Sequence, residues 1–470
     1  THPELSAQCY SWVDVSGFTH RNVEGVERAL RDAAGQTPEG QWVFAFGLDP
    51  MLTAGLGTWD RHRLDAISPL NPMAVMIQSM HTLFVNSAAL QAAGIDENTA
   101  DPGGGGRFQR DSSGAPTGVV MEQPAMNVFM RFMFQSMDAW EGWLTEQYRR
   151  FRLAGITTLG VAGVFVPMPL MPLFEKATVA PDGVRAVAYR HFTRPETYAW
   201  TPATDPDRLR VQGVKLWYDG SPYSGTMLLD EPYLDSQLCC DTLGIAPGTR
   251  GHANVGKDEL RAMLAGFRRR GWQVMTHTQG DRSTREVLDA YEEALRGIED
   301  TDHRWRLEHC ALITSEDMAR ARRLGVALSF HANHVYYYGP ELRESILGPE
   351  RAERLMPVGT AIRLGHRVSL HTDSPMYPPE PLRLMRTVVT RQTRTGEKLR
   401  ASEAITAHEA LRAVTIDAAW QLFAEERCGS IEVGKYADFA VLERNPLEVP
   451  PEELDTIAVT GTWLGGRPAE

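Results

Sequence analysis

No stretch of the 470 residues comes near the ~20 consecutive apolar positions of a membrane-crossing helix, so no membrane partner is expected. Cysteine is scarce. The five present (Cys9, Cys239, Cys240, Cys310 and Cys428) show no Cys-x-x-Cys spacing and are too sparse for a disulfide framework. The adjacent pair Cys239 and Cys240 reads as buried or loop filler, and a reducing, cytoplasmic setting fits best. Basic charge is in deficit: 48 Lys and Arg stand against 60 Asp and Glu, for a net charge of -12 and a pI near 5.7. Such a balance argues against nucleic acid as a partner. The glycine-rich stretch 101–106 is not followed by Lys-Ser or Lys-Thr, which makes it a turn rather than a phosphate cradle. A signal-peptide pattern is also lacking, but THPELSAQCY has no initiator Met and reads as the middle of a longer chain.

What is present is a substantial apolar fraction, 43%, in a chain long enough for one large barrel and a smaller element. Residues 23–34 have helical spacing, residues 42–47 and 74–77 read as strands, and 86–90 as a helix start. From residue 140 the rhythm alternates. Helices are expected over 141–154, 257–270, 283–295, 314–324 and much of 351–364. Strands are expected to start near residues 155, 184, 214, 272, 304, 326 and 367. That makes seven parallel strands, one short of eight. In the tail, Thr406 and Glu409 form a capping box, residues 429–442 alternate as a hairpin with a glycine turn, and residues 457–463 form a strand turned by Gly465-Gly466.

Four of these strands end in groups that can bind metal or move protons: GVKLWYDG (213–220), VMTHTQGD (274–281), WRLEHC (305–310) and VSLHTDSP (368–375). A doubly wound open sheet would gather its chemistry at one switch point. Polar groups at the end of strand after strand favour a closed α/β architecture, the (β/α)8 TIM barrel. Lys215, His277, His309 and Asp373, in that order, point to metal-assisted hydrolysis. Neutral imidazole nitrogens suit zinc and related divalent ions. A protonated lysine is a poor ligand. Glu308 is expected to face away from His309, because adjacent strand positions face opposite sides.

These motifs, together with HTLFVNSAAL (81–90) and GSIEVGKYADFAVLERNP (429–446), resemble the amidohydrolase superfamily, in its YtcJ-like branch also called amidohydrolase family 3, along essentially the whole chain. The resemblance implies a metal-dependent barrel over residues 1–400 with an inserted region about 40–135, and a C-terminal helix and β-sandwich subdomain over 401–470. It implies one or two divalent metals, zinc foremost, held by His2, Lys215, His277, His309 and Asp373, with Lys215 able to carry N6-carboxylation. Asp373 would be the general base. His81 would polarise the scissile carbonyl or anchor the inserted loop, and Glu122 resembles a family acid beside the pocket. Trp217, Tyr218, Asn333, His334 and His371 are expected on the substrate side. A small residue is commoner than His371 two positions before the aspartate. Aromatic residues after strand ends, among them Phe165, Tyr223 and 336–338, suggest an apolar wall.

The expected activity is therefore cleavage of a non-peptide C–N bond in a small apolar amide or formamide, by attack of metal-bound hydroxide. The segment GSPYSGTMLLDEPY (220–233) is similar to N-substituted formamide deformylases. An esterase, carbamate or phosphoester hydrolase on the same metal site is a second reading, and a non-catalytic metal-binding regulatory protein a third. The expected partner is a small molecule, with homo-oligomerisation left open. The resemblance also implies His-x-His at the first strand, of which His2 is the second half. The expectation is that the natural polypeptide extends upstream, with His immediately before Thr1 and a β-rich segment before that. Intact-mass measurement with N-terminal sequencing of the gene product checks this, and a complete product starting at Thr1 would refute it.

Overall fold

Runs in which every second residue is apolar become strands here, and each strand's two faces meet different surroundings. The computed structural model describes residues 1–103, 105–132, 137–164, 166, 170–181, 183–298 and 301–468. A six-stranded sheet comes first. It contains β1 (Val13–Asp14), β2 (Val43–Leu48), β3 (Met73–Ile77), β4 (Thr82–Val85), β5 (Arg107–Arg110) and β6 (Pro116–Met121), in the order β1-β2-β3-β4-β6-β5. The first three are parallel and the rest antiparallel.

A seven-stranded, all-parallel sheet follows: β7 (Thr158–Val161), β8 (Arg185–His191), β9 (Leu209–Trp217), β10 (Gln273–Thr278), β11 (Arg306–His309), β12 (Ala327–Phe330) and β13 (Val368–Leu370), in strict sequence order. All seven expected strands are found, within a few residues of the positions expected. At the two edges the chain's start intervenes. The Ala162 amide donates to the Thr1 carbonyl (3.1 Å), and the His2 amide donates to the Ser374 carbonyl (2.9 Å). The result is the TIM-barrel-like α/β fold, with antiparallel elements beside it.

The outer face of the barrel strands carries Val214, Leu216, Tyr218, Val274, Leu307 and Leu328, all buried in one large core. Helices Lys257–Arg269 and Asp281–Leu295 cover it. The first presents Leu260, Leu264 and Phe267, spaced for one helical face. The expected caps are present: Thr314 accepts from the Asp317 amide, and Thr406 with Glu409 closes a full capping box. The inner face carries Lys215 and Trp217, Met275 and His277, and Arg306 and Glu308. Register pairs Lys215 with Met275, Met275 with Arg306, and His277 with both Trp217 and Glu308.

Glu308 corrects the expectation from alternation. It lies inside the barrel, paired with Arg306 at 2.8 Å, and His309 also reaches the site. Backbone φ values of 74° at His309 and 54° at Cys310 break the two-residue period there. The tail corrects a second one. Residues 429–438 form no strand. Instead β14 (Phe439–Leu442) pairs antiparallel with β15 (Val459–Leu464), which turns at Gly465-Gly466 into β16 (Arg467–Pro468).

The base of the barrel is fastened by Gln421. Its side-chain amide donates to the carbonyls of Leu328 and Arg367, both at 2.9 Å, and its side-chain oxygen accepts from the Ser369 hydroxyl at 2.7 Å. Its main-chain carbonyl accepts from Gln273 (2.9 Å) and Arg306 (3.1 Å). Gln421 is fully buried, so removing its amide strands several polar groups without water. Gln421→Ala should cost roughly 2–4 kcal/mol. The check is a lowered urea midpoint at unchanged slope; an unmoved midpoint would show that the fastening contributes nothing.

Candidate active site

At the C-terminal ends of the parallel strands lies a cavity of about 560 Å³. Its floor is formed by His2, Asp219, His277, His331 and Asp373. Its walls are largely apolar, with Trp12, Met76, Met126, Trp140, Phe192, Trp217 and Met376 among them. Trp217 lies on the inner face of β9, its ring stacked 4.7 Å from His191 and 6.2 Å from His2. A close approach of Gly163 allows this: a Cβ there would stand 2.5 Å from the indole. Phe165, expected on this wall, lies outside the described residues.

The donors expected at strand ends come together. The His2 Nε2 is 3.4 Å from a carboxylate oxygen of Asp373. The rings of His277 and His309 are 4.1 Å apart. His277 is oriented through Nε2, which lies 3.1 Å from the Gly220 carbonyl, while its Nδ1 is buried without a hydrogen-bond partner. An imidazole fixed through one nitrogen and bare at the other fits a metal ligand. Burial holds His277, His309 and His371 well below the ordinary imidazole range and His331 down at about 4, so their lone pairs are available. Lys215 is 2% exposed. Burial lowers its ammonium, with Glu308 and Asp373 opposing. This donor set, neutral imidazoles with a carboxylate and a buried amine, fits a divalent ion.

Asp373 is half-buried, its side chain 19% exposed, and the loss of water alone would raise its carboxyl. The hydrogen bond from His2 and the neighbouring imidazoles outweigh this and hold it well below the usual carboxylate range. Its φ of 51° turns it over the floor. On another wall, His81 Nδ1 lies 3.0 Å from Glu122 Oε2. The pair is built by the six-stranded sheet: His81 precedes β4 and Glu122 follows β6, and the Glu122 amide donates to the His81 carbonyl. Burial would lower His81, but the Glu122 charge and hydrogen bond raise it; Glu122 is lowered in return.

Other expected substrate groups are placed away from the cavity. Tyr218 has the opposite parity to Trp217, so it faces the outer core with its hydroxyl on Glu286 at 2.7 Å. His334 lies behind the floor, its Nδ1 2.6 Å from the Tyr223 hydroxyl and 2.8 Å from that of Tyr377. Asn333 is 1% exposed and accepts from Thr387. His371 lies beneath the floor, between Ser329 and His309.

Two groups escaped sequence reasoning. Asp219 ends β9's motif and accepts from the amides of Leu228, Gln279 and Gly280 and from the Ser283 hydroxyl. Burial pushes it up to about 6 against these donors. It stands 3.6 Å from His277 and ties three segments under the floor. His331 follows β12 directly, so the strand-end rule that selected His277 and His309 would have found it.

Comparison with known proteins agrees with this geometry. The profile described as Amidohydrolase family matches residues 1–469. An N-substituted formamide deformylase of Arthrobacter pascens is 28% identical over 462 residues, 94% of this chain and 81% of that protein. YtcJ of Bacillus subtilis (strain 168), an amidohydrolase by name, is 26% identical over 467 residues, 97% of this chain and 84% of its own. Among solved structures, a metal-dependent hydrolase of Pyrococcus horikoshii OT3 superposes with a TM-score of 0.72 at 21% identity, covering 96% of this chain and 85% of the other. The chain therefore belongs to the amidohydrolase family, as a hydrolase acting on carbon–nitrogen bonds.

Proposed function

We propose that this enzyme hydrolyses the C–N bond of a small, apolar N-substituted amide, with formamides the foremost class, in a metal-dependent reaction. One observation carries the reading. Asp373 and the His81–Glu122 pair line the same cavity, above a floor of neutral imidazoles and beneath apolar walls. The deformylase name of a relative 28% identical supports the formamide class.

His2, Lys215, His277, His309 and Asp373 would hold the metal, for which zinc suits the donor set. Bound there, a divalent ion lowers the pKa of water and polarises a carbonyl oxygen. Lys215 is the residue for N6-carboxylation: burial favours its neutral amine, and a carbamate makes it an anionic ligand.

The remaining steps belong to the chain's own side chains. Asp373 is ionised and accepts a proton from the attacking water, then returns it to the departing nitrogen. Water adds its oxygen to the carbonyl carbon, the C–N bond breaks, and the products are a carboxylic acid and an amine. His81 acts on the carbonyl oxygen. With Nδ1 engaged by Glu122, Nε2 carries a proton only in the imidazolium form. The raised pKa keeps that form populated and makes Nε2 a donor to the developing negative charge. Trp217, Phe192 and the methionines exclude water around the substituent on nitrogen.

Three measurements test the proposal. Purified, unchelated protein should contain at least one zinc-like ion per chain by elemental analysis, and activity on N-alkyl or N-aryl formamides should disappear with the metal. Full activity in rigorously metal-free protein, or turnover of matching esters but no amide, would overturn the reading. Asp373→Asn should lower kcat by roughly 10² or more while leaving the fold intact by circular dichroism. An unchanged kcat removes Asp373 from the mechanism. For His81 the sign is set by the ion pair: Glu122 raises its pKa, so activity that needs the imidazolium falls as pH rises through that value. Glu122→Gln should therefore shift the alkaline limb of kcat/KM to lower pH. A limb that stays in place would separate it from His81.

A further inference from the structure

Three imidazoles at and beneath the cavity floor have an arrangement of which the hydrolytic reading uses only His309. His309, His331 and His371 come from the ends of three consecutive strands, β11, β12 and β13, and each offers a ring nitrogen within 4.8 Å of the others. His309 is 3% exposed and His331 fully buried. His309 Nδ1 and His371 Nε2 are 3.2 Å apart. Nitrogens on one tetrahedral zinc ion, each about 2.0–2.1 Å from the metal, are separated by about 3.3 Å.

A 3.2 Å separation is equally a hydrogen bond between two imidazoles, so the pair alone decides nothing. The third ring does. His331 is held through Nε2, 3.0 Å from the Thr372 carbonyl, which makes Nε2 the protonated nitrogen and Nδ1 a lone-pair donor. That Nδ1 is buried and has no hydrogen-bond partner. A bare acceptor in a dry interior costs about 1–3 kcal/mol unless something binds it. His371 follows the same pattern, with Nδ1 2.9 Å from the Ser329 hydroxyl and Nε2 turned towards His309. Two of the three rings are thus locked through one nitrogen by a protein oxygen, with the other nitrogen presented inward. That outer support is characteristic of ligating histidines.

We propose that His309, His331 and His371 form a second metal position beside the set built on His2, Lys215, His277 and Asp373, with His309 common to both, its ring giving one nitrogen to each ion and releasing its remaining proton to solvent when both are bound. Its occupant is zinc or another borderline divalent ion suited to nitrogen ligands. His309 stands between the two sets, its ring against His277 on one side and its Nδ1 facing His371 on the other. The proposal does not depend on which bond the enzyme hydrolyses.

The test uses the full chain, stripped with a chelator and reloaded with Zn²⁺, Co²⁺ or Cu²⁺ in parallel. Metal equivalents are counted by elemental analysis, and the Cu²⁺ form is examined by electron paramagnetic resonance for coupling to nitrogen. His277→Ala should still hold one ion with a three-nitrogen signature. His331→Ala should lose one equivalent relative to the wild type, or bind it at least tenfold more weakly, and lose that signature. His331→Gln and His371→Asn provide the same reading if truncation impairs folding, with circular dichroism as the check. Equal stoichiometry and identical spectra in wild type and both histidine variants would overturn the second position. That result would leave the hydrolytic reading standing, since the latter is judged by turnover and by loss of activity without metal.

Discussion

Parallel pairing forces the ends of neighbouring strands to one side of the sheet, and the chemistry of this protein is assembled by that constraint. Register sets Lys215 beside Met275 and His277 beside Trp217 and Glu308, so residues 31 to 60 positions apart become lateral neighbours. Alternation then selects what reaches the interior, admitting Trp217 and sending Tyr218 outward. Where the site needs more groups than alternation allows, the backbone leaves the β region. His309, Cys310 and Asp373 all have positive φ, and through them consecutive or nearly consecutive residues converge on one volume. Non-glycine residues in that conformation carry strain of order 1–3 kcal/mol each, and their concentration at the strand ends is where such strain commonly accumulates.

Electrostatics follows from the same enclosure. A group of imidazoles shielded from water stays uncharged, which suits them for binding a cation and spares the interior their mutual repulsion. The exception is His81, supplied by the six-stranded sheet rather than by the barrel. There a carboxylate at 3.0 Å reverses the effect of burial. The cavity thus has on one wall a histidine that holds its proton more tightly than usual and on its floor a carboxylate that gives its proton up more readily, each contributed by a different part of the fold.

Much of this could be read from residues alone. Strands with an apolar stripe and a polar terminus are local patterns, and they located β7 to β13 as well as Lys215, His277, His309 and Asp373. Capping at Thr314 and Thr406 is equally local. Other features depend on partners that local patterns do not identify. The alternation over 429–442 is genuine, but Phe439–Leu442 finds its partner at Val459–Leu464. Asp219 looks like an ordinary turn aspartate until four donors from two other segments meet it. Tyr218 and Glu308 were misplaced for opposite reasons: one obeys alternation where a substrate role was expected, and the other sits beside a residue whose backbone abandons it. His334 looked like a pocket residue because it comes just after the end of β12, yet two tyrosine hydroxyls occupy its Nδ1.

Gln421 has a consequence for the order of events at the ribosome. The carbonyl of Leu328 waits for a side chain 93 residues further along the chain. At ordinary elongation rates of 5–20 residues per second, that delay lasts roughly five to twenty seconds. Throughout it, strands β9 to β12 are already synthesised while the Leu328 carbonyl lacks this partner. The fastening at the base is therefore among the last contacts the growing chain can make, after every barrel strand has been synthesised.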